Sequence, residues 1–287
     1  MVTATSDKAA PSPLLGWLAV VAGTGLSIGW VIVGQRIGAA ITIEAIGQAM
    51  SVYYAVLFLP LIGMALLFGW FGKLRVLRWG DAPARWLAVG LALGAGGFLV
   101  TLGYAWLNGG LVPGEVARGS FGLIALGAAL TLLQVGTEEV LFRGWLQPAL
   151  IARVGVPAAV VLGAVVFAVF HIPAGAVSPM SLVNLVLGGV FFGLLALRSG
   201  GLVAPLAAHY AWNAIEDLGF GLVPNPGNGP LGSLSDWDLL GPPLWGGTPD
   251  GLNDSIGTTV ALVALIVPLL LSRRSAVAAA PAAVSTA

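Results

Sequence analysis

Seven long stretches of this 287-residue chain contain no Asp, Glu, Lys or Arg. They run from Ala9 to Gln35, Ala45 to Gly72, Trp86 to Gly114, Gly119 to Thr137, Val154 to Leu197, Ser199 to Ile215 and Ser255 to Ser272. A helix needs about 20 apolar residues to cross the hydrocarbon core of a bilayer, so these stretches read as membrane helices. The Val154–Leu197 stretch is about twice that length, and His171-Ile172-Pro173-Ala174-Gly175 divides it. Eight spans are therefore expected, near 14–37, 51–71, 86–107, 120–152, 156–171, 180–198, 203–220 and 256–272. The fourth is too long for a simple crossing, and is read as tilted or as emerging into the cytoplasm. The first is longer than a signal-peptide core and lacks a clear cleavage site, so it is kept as a membrane helix.

Composition narrows the field further. Charged residues make up 8% of the chain, against about 25% in soluble domains. Lys plus Arg equals Asp plus Glu, 12 each, which argues against nucleic acid as a partner. The absence of cysteine excludes disulfides, thiolate metal sites and a cysteine nucleophile. The expected fold class is all-α: a polytopic helical bundle enclosing a polar cavity. Residues 1–13 and 275–287 read as disordered ends, 14–274 as a single integral-membrane domain, and 221–254, rich in Gly, Pro, Asn and Asp, as a long external loop. Gly90, Gly94, Gly97, Gly189 and Gly193 fit close helix packing.

Orientation follows the distribution of Lys and Arg. With the N-terminus inside, eight spans put Lys8, Lys73, Arg75, Arg78, Arg85, Arg153, Arg198, Arg273 and Arg274 on the cytoplasmic side, and Arg143 near it. Only Arg36 and Arg118 fall outside. A multi-pass protein of the cell (inner) membrane with both termini cytoplasmic is the expectation.

Ionisable groups within membrane spans are costly and mark function by default. Four stations stand out: Glu138-Glu139-Val140-Leu141-Phe142-Arg143, Phe167-Ala168-Val169-Phe170-His171, His209-Tyr210-Ala211-Trp212-Asn213, and Glu216-Asp217. Glu139 and Arg143 stand at i and i+4 in the favourable order for an ion pair. Glu138 points about 100° away from Glu139 and has no basic residue one turn away, only Gln134. Such a carboxylate needs a partner on another helix, a proton or water. The only two histidines, His171 and His209, both fall in spans, and His209 shares a helix face with Asn213. Glu138 and His171 lie about 21 Å from the same cytoplasmic turn at 1.5 Å per residue, so antiparallel neighbours bring them level. For His209 to reach that depth, Ser199 to Ala204 must dip into the protein as non-helical backbone, which Gly200 and Gly201 permit.

Glu-Glu-x-x-x-Arg, Phe-x-x-x-His and His-x-x-x-Asn, in that order and in membrane helices, resemble the CAAX protease and bacteriocin-processing family of intramembrane endopeptidases, which includes the type II CAAX prenyl endopeptidases. The motifs span Glu138 to Asn213, and Gly-Pro-Pro-Leu-Trp-Gly-Gly at 241–247 is similar to C-terminal loops of bacterial members. The resemblance implies that Glu138 and His171 activate water, that His209 and Asn213 stabilise the oxyanion, and that Glu139, Arg143 and Phe167 support the site. It implies no cofactor, with a peptide or lipid-modified protein as substrate and the lipid bilayer as surroundings. The residues suit the chemistry: peptide hydrolysis needs a base, a positioned water and donors for the developing oxyanion. One alternative is a zinc protease using Glu138, His171 and His209 as ligands with a water position open. Another is a proton-coupled transporter relaying through Glu138, His171, Glu216 and Asp217, although the halves show no repeat symmetry. A third is a catalytically silent membrane scaffold, against which the intact motifs argue.

Overall fold

The computed structural model describes residues 13–114, 120–175, 178–223, 229–248 and 250–272. The expectations for the two chain ends fall outside these residues, apart from Pro13 at the start of the first helix, as do Lys8, Arg118, Arg273 and Arg274. The helices are α1 (Pro13–Ala39), α2 (Ile46–Phe71), α3 (Pro83–Leu107), α4 (Phe121–Glu139), α5 (Gln147–His171), α6 (Pro179–Ser199), α7 (Val203–Ala214) and α8 (Ile256–Leu271). The protein is an all-α membrane bundle. Among the described residues, five helical rods are long and apolar enough to cross a membrane: 14–39, 46–71, 83–107, 121–171 and 179–199. The apolar helix α8 is shorter. Exposed Leu14, Leu18, Val21, Leu99, Val100, Val260 and Leu270 spread along α1, α3 and α8, a surface suited to lipid.

The 51-residue rod from Phe121 to His171 departs from simple helical reading in two places. Gly155, at φ 76° and ψ 170°, breaks it, at the place where the sequence separates the fourth and fifth spans. Val140–Leu146, by contrast, is π-helical and joins α4 to α5 without a gap. Composition carries no sign of it, because a π turn changes the hydrogen-bond step and not the residue types. A second π turn, Ile215–Gly219, ends α7.

Local chemistry sets the helix ends. Ser120, Ser178 and Ser255 cap α4, α6 and α8 by accepting from Leu123, Met180 and Gly257 backbone N–H groups. Pro60 inside α2 cannot donate to the carbonyl four residues back. Trp30 of α1 supplies the missing donor, its Nε1 lying 3.2 Å from both Val56 O and Leu57 O. The glycines bring helices into backbone contact: a Cβ on Gly94 would lie 2.0 Å from Ala208 O of α7, and one on Gly189 2.7 Å from Ala164 Cα of α5.

Two features position the later part of the site. Between α6 and α7, Gly200 takes a left-handed conformation at φ 71°. Ser199, Gly201, Leu202 and Ala204 around it are buried. Leu202 N–H donates to Arg78 O at 2.7 Å and Asp81 N–H to Ser199 O at 3.1 Å. The loop between α2 and α3 thus satisfies the irregular backbone that starts α7 inside the protein. Beyond α7, the segment read as a loop is built into the fold. Its residues Trp237–Leu239 form β2, antiparallel to β1 (Leu111–Pro113), with Val112 opposite Asp238. Leu222, Leu239 and Leu252 are buried. Strands of three residues leave too little alternation to be read from sequence.

The apolar interior falls into two main clusters. One, around Phe98, Phe191, Phe192, Leu195 and Trp212, joins α3, α6, α7 and α8. The other, around Phe142, Trp145, Phe167 and Leu185, joins α5, α6 and the π segment with Val20 of α1 and Ala65 of α2. The polar residues meet between them.

Candidate active site

Glu138 and Glu139 are the last residues of α4, immediately before the π segment. Their divergence around the helix sends them to different surroundings. Glu139 is fully buried, at 0% exposure. Its Oε1 accepts from Arg143 Nη1 at 3.1 Å and from His209 Nδ1 at 2.9 Å. Arg143, 3% exposed, also donates from Nη2 to Gly189 O at 3.0 Å. Its guanidinium carbon lies 5.6, 4.9 and 5.4 Å from the ring centroids of Phe142, Phe167 and Phe192. The charge is thus held by one carboxylate, one carbonyl and three aromatic rings, the combination a desolvated guanidinium requires.

Glu138 is only partly buried and borders a cavity of about 180 Å³ between α1, α2, α4 and α5. Gln134 Nε2 donates to its Oε1 at 3.3 Å. Its Oε2 is buried with no hydrogen-bond partner and lies 3.8 Å from His209 Nε2. That gap is too long for a direct hydrogen bond, yet one water can bond both atoms.

A larger cavity of about 520 Å³ is lined by Phe167, His171, His209, Asn213, Glu216 and Asp217, among others. The two cavities share Tyr54, Gln134, His171 and Ala174 as lining. Of the four main sequence-predicted residues, Glu138 lines the smaller cavity, His209 and Asn213 line the larger, and His171 lines both. Glu216 and Asp217 line the larger cavity, where the Trp212 side chain hydrogen-bonds Glu216.

The hydrogen bonds fix the histidine tautomers. His171 Nδ1 lies 2.8 Å from Phe167 O. A carbonyl only accepts, so Nδ1 carries the proton and Nε2 of the neutral ring keeps a lone pair. His209 Nδ1 faces the Glu139 carboxylate, so His209 can donate from Nε2 only as an imidazolium. Counted with a protonated His209, the formal charges of Glu138, Glu139, Arg143 and His209 sum to zero. Phe192 stacks on His209, with ring centroids 4.5 Å apart and planes at 18°.

Sequence reasoning treats Glu139 as the partner of Arg143 alone; the structure makes it the anchor of His209 as well. It also passes over Tyr54, Phe192 and Asn184. Asn184, buried in α6, bonds Asn253 O at 2.8 Å and Ser255 O at 3.0 Å. Its signal, an amide inside an uncharged span, is the one that marks Asn213. Phe192 and Tyr54 carry no such signal, since aromatic residues are ordinary in apolar helices. For the zinc alternative, no three His, Asp or Glu side chains among the described residues stand together as a metal-holding group.

Residues 120–215 match the family model described as Type II CAAX prenyl endopeptidase Rce1-like. That is the protease group the motifs resemble. The match covers about a third of the chain, from the cap of α4 through α7 and the residue after it, and includes Glu138, Glu139, Arg143, Phe167, His171, His209 and Asn213. The family implies a protease in a lipid bilayer with a peptide substrate. No curated protein matches the chain.

Proposed function

We propose that this protein is an intramembrane endopeptidase that cleaves a peptide bond of a membrane-associated or prenylated-type substrate. The observation that carries the reading is the unpartnered Glu138 Oε2, buried 3.8 Å from His209 Nε2 at the edge of a cavity in an apolar bundle. A water bound to Glu138 Oε2 and the His171 Nε2 lone pair attacks the carbonyl carbon. Its oxygen forms the new C–O bond and its proton passes to Glu138. The carbonyl oxygen becomes an oxyanion, received by the His209 imidazolium Nε2–H and the Asn213 amide. Glu138 then returns the proton to the amide nitrogen as the C–N bond breaks, leaving an amine and a carboxylic acid that keeps the water's second proton. Arg143 and Glu139 hold His209 in place, and no step is routed through a metal ion. The lysine and arginine distribution supports eight spans in the cell membrane, with both ends cytoplasmic.

The test is cleavage of a prenylated CAAX-type peptide by protein reconstituted in liposomes. Wild-type protein cleaves it, and Glu138→Gln, folded to the same yield, does not. Undiminished cleavage by Glu138→Gln would remove Glu138 from the reaction. Substrate uptake into the liposomes without any cleavage would favour the transporter reading.

A further inference from the structure

The proposed chemistry gives no role to Gln134, which lines both cavities one turn before Glu138 on α4. The Glu138 carboxylate is held asymmetrically: Oε1 accepts from Gln134 Nε2 at 3.3 Å, while Oε2 is buried and has no partner. A glutamate at a cavity edge has several rotamers open to it, and an unanchored one spreads its carboxylate over all of them. We infer that Gln134 is a positioning residue, whose amide occupies one oxygen of Glu138 and so directs the other toward His209 and the junction of the two cavities. This rests on the protease reading. The Gln134 amide does not touch the reacting atoms; it acts through Glu138. Because a hydrogen bond to a charged group is worth more than a neutral one, losing it leaves the base present but misdirected. Geometry errors of this kind act on the chemical step more than on binding.

Gln134→Met keeps the side-chain length and removes the donor. In the reconstituted protein it should lower kcat about 10- to 100-fold and leave KM within about twofold, with the melting temperature little changed. Gln134→Leu serves if the Met variant folds poorly. A second readout needs no turnover. The infrared difference between wild type and Glu138→Gln isolates the Glu138 carboxylate bands, and these should shift when Gln134 is replaced. A role confined to helix stability would not move them. Wild-type kcat in Gln134→Met, or a lowered kcat with an unmoved carboxylate band, overturns the inference. A shifted band in a protein that cleaves no peptide upholds the placement of Gln134 and defeats the protease reading instead.

Discussion

Replacing Glu139 with alanine separates the two adjacent glutamates by their surroundings. The wild-type carboxylate is wholly buried and accepts from both Arg143 and His209. In Glu139→Ala, Arg143 keeps the Gly189 carbonyl and its three phenyl rings, but its charge is unpaired in the interior. Breaking a buried pair from one side costs about 3–5 kcal/mol, a large share of the ~5–15 kcal/mol that holds a typical domain together. Folded yield and melting temperature in detergent should fall together. Replacing both partners with apolar residues removes the buried charge, so Glu139→Ala with Arg143→Met should recover most of the stability. Activity should not return with it, because His209 Nδ1 has still lost its acceptor. The assay is thermal unfolding in detergent, paired with cleavage per folded molecule in liposomes. Two results would refute the reasoning: Glu139→Ala within about 1 kcal/mol of wild type, since even one ordinary buried hydrogen bond is worth that much, or a double variant that regains cleavage as well as stability.

Two further outcomes test the membrane placement and the metal question. The chain has no cysteine, so single cysteines at Leu77, in the loop after α2, and Leu234, in the segment after α7, report topology. The first should label only from inside and the second from outside, and the reverse pattern would invert the orientation. Treatment of the purified protein with a chelator should leave cleavage unchanged. Activity that is lost and then restored by zinc would reassign Glu138, His171 and His209 as ligands.

Much of the bundle was legible because charge-free length is a direct physical requirement of crossing lipid, and the break at Gly155 fell between the fourth and fifth spans, just after the charge of Arg153. Glu138, His171, His209 and Asn213 stood out as candidates for the related reason that polar groups in such spans need a purpose. What escaped reading depends on relations between helices. The stacking of Phe192 on His209 and the bond from His209 to Glu139 join residues 17 and 70 positions apart. Nothing local distinguishes Phe192 from its neighbour Phe191, which is buried in the apolar core. The π segment escaped for a different reason: it alters the spacing of Arg143 and Trp145 around the helix while leaving the residue pattern helical. The β1–β2 pairing was too short for periodicity to show.

The charge balance proposed for Glu138, Glu139, Arg143 and His209 changes what a Glu138 substitution can prove. Glu138→Gln removes a base, but it also removes one negative charge from a set whose other members are Glu139, Arg143 and His209. With that charge gone, the His209 imidazolium has less to balance it, and an inactive Gln variant fits either a lost base or a lost counter-charge. Glu138→Asp separates the two. It keeps the charge within the same cavity but withdraws the carboxylate by one methylene, about the 1 Å displacement that can reduce a chemical step about 100-fold. It also draws Oε1 out of reach of Gln134, which is already at 3.3 Å. If Glu138 is the base, Glu138→Asp should be nearly as inactive as Glu138→Gln while folding normally. If Glu138 serves only to balance charge, the aspartate should retain most of the wild-type kcat, because a charge moved by one methylene still neutralises the imidazolium. Measured kcat values for the two variants at equal folded concentration decide between these roles, and substantial activity in Glu138→Asp alone would transfer the base role away from Glu138.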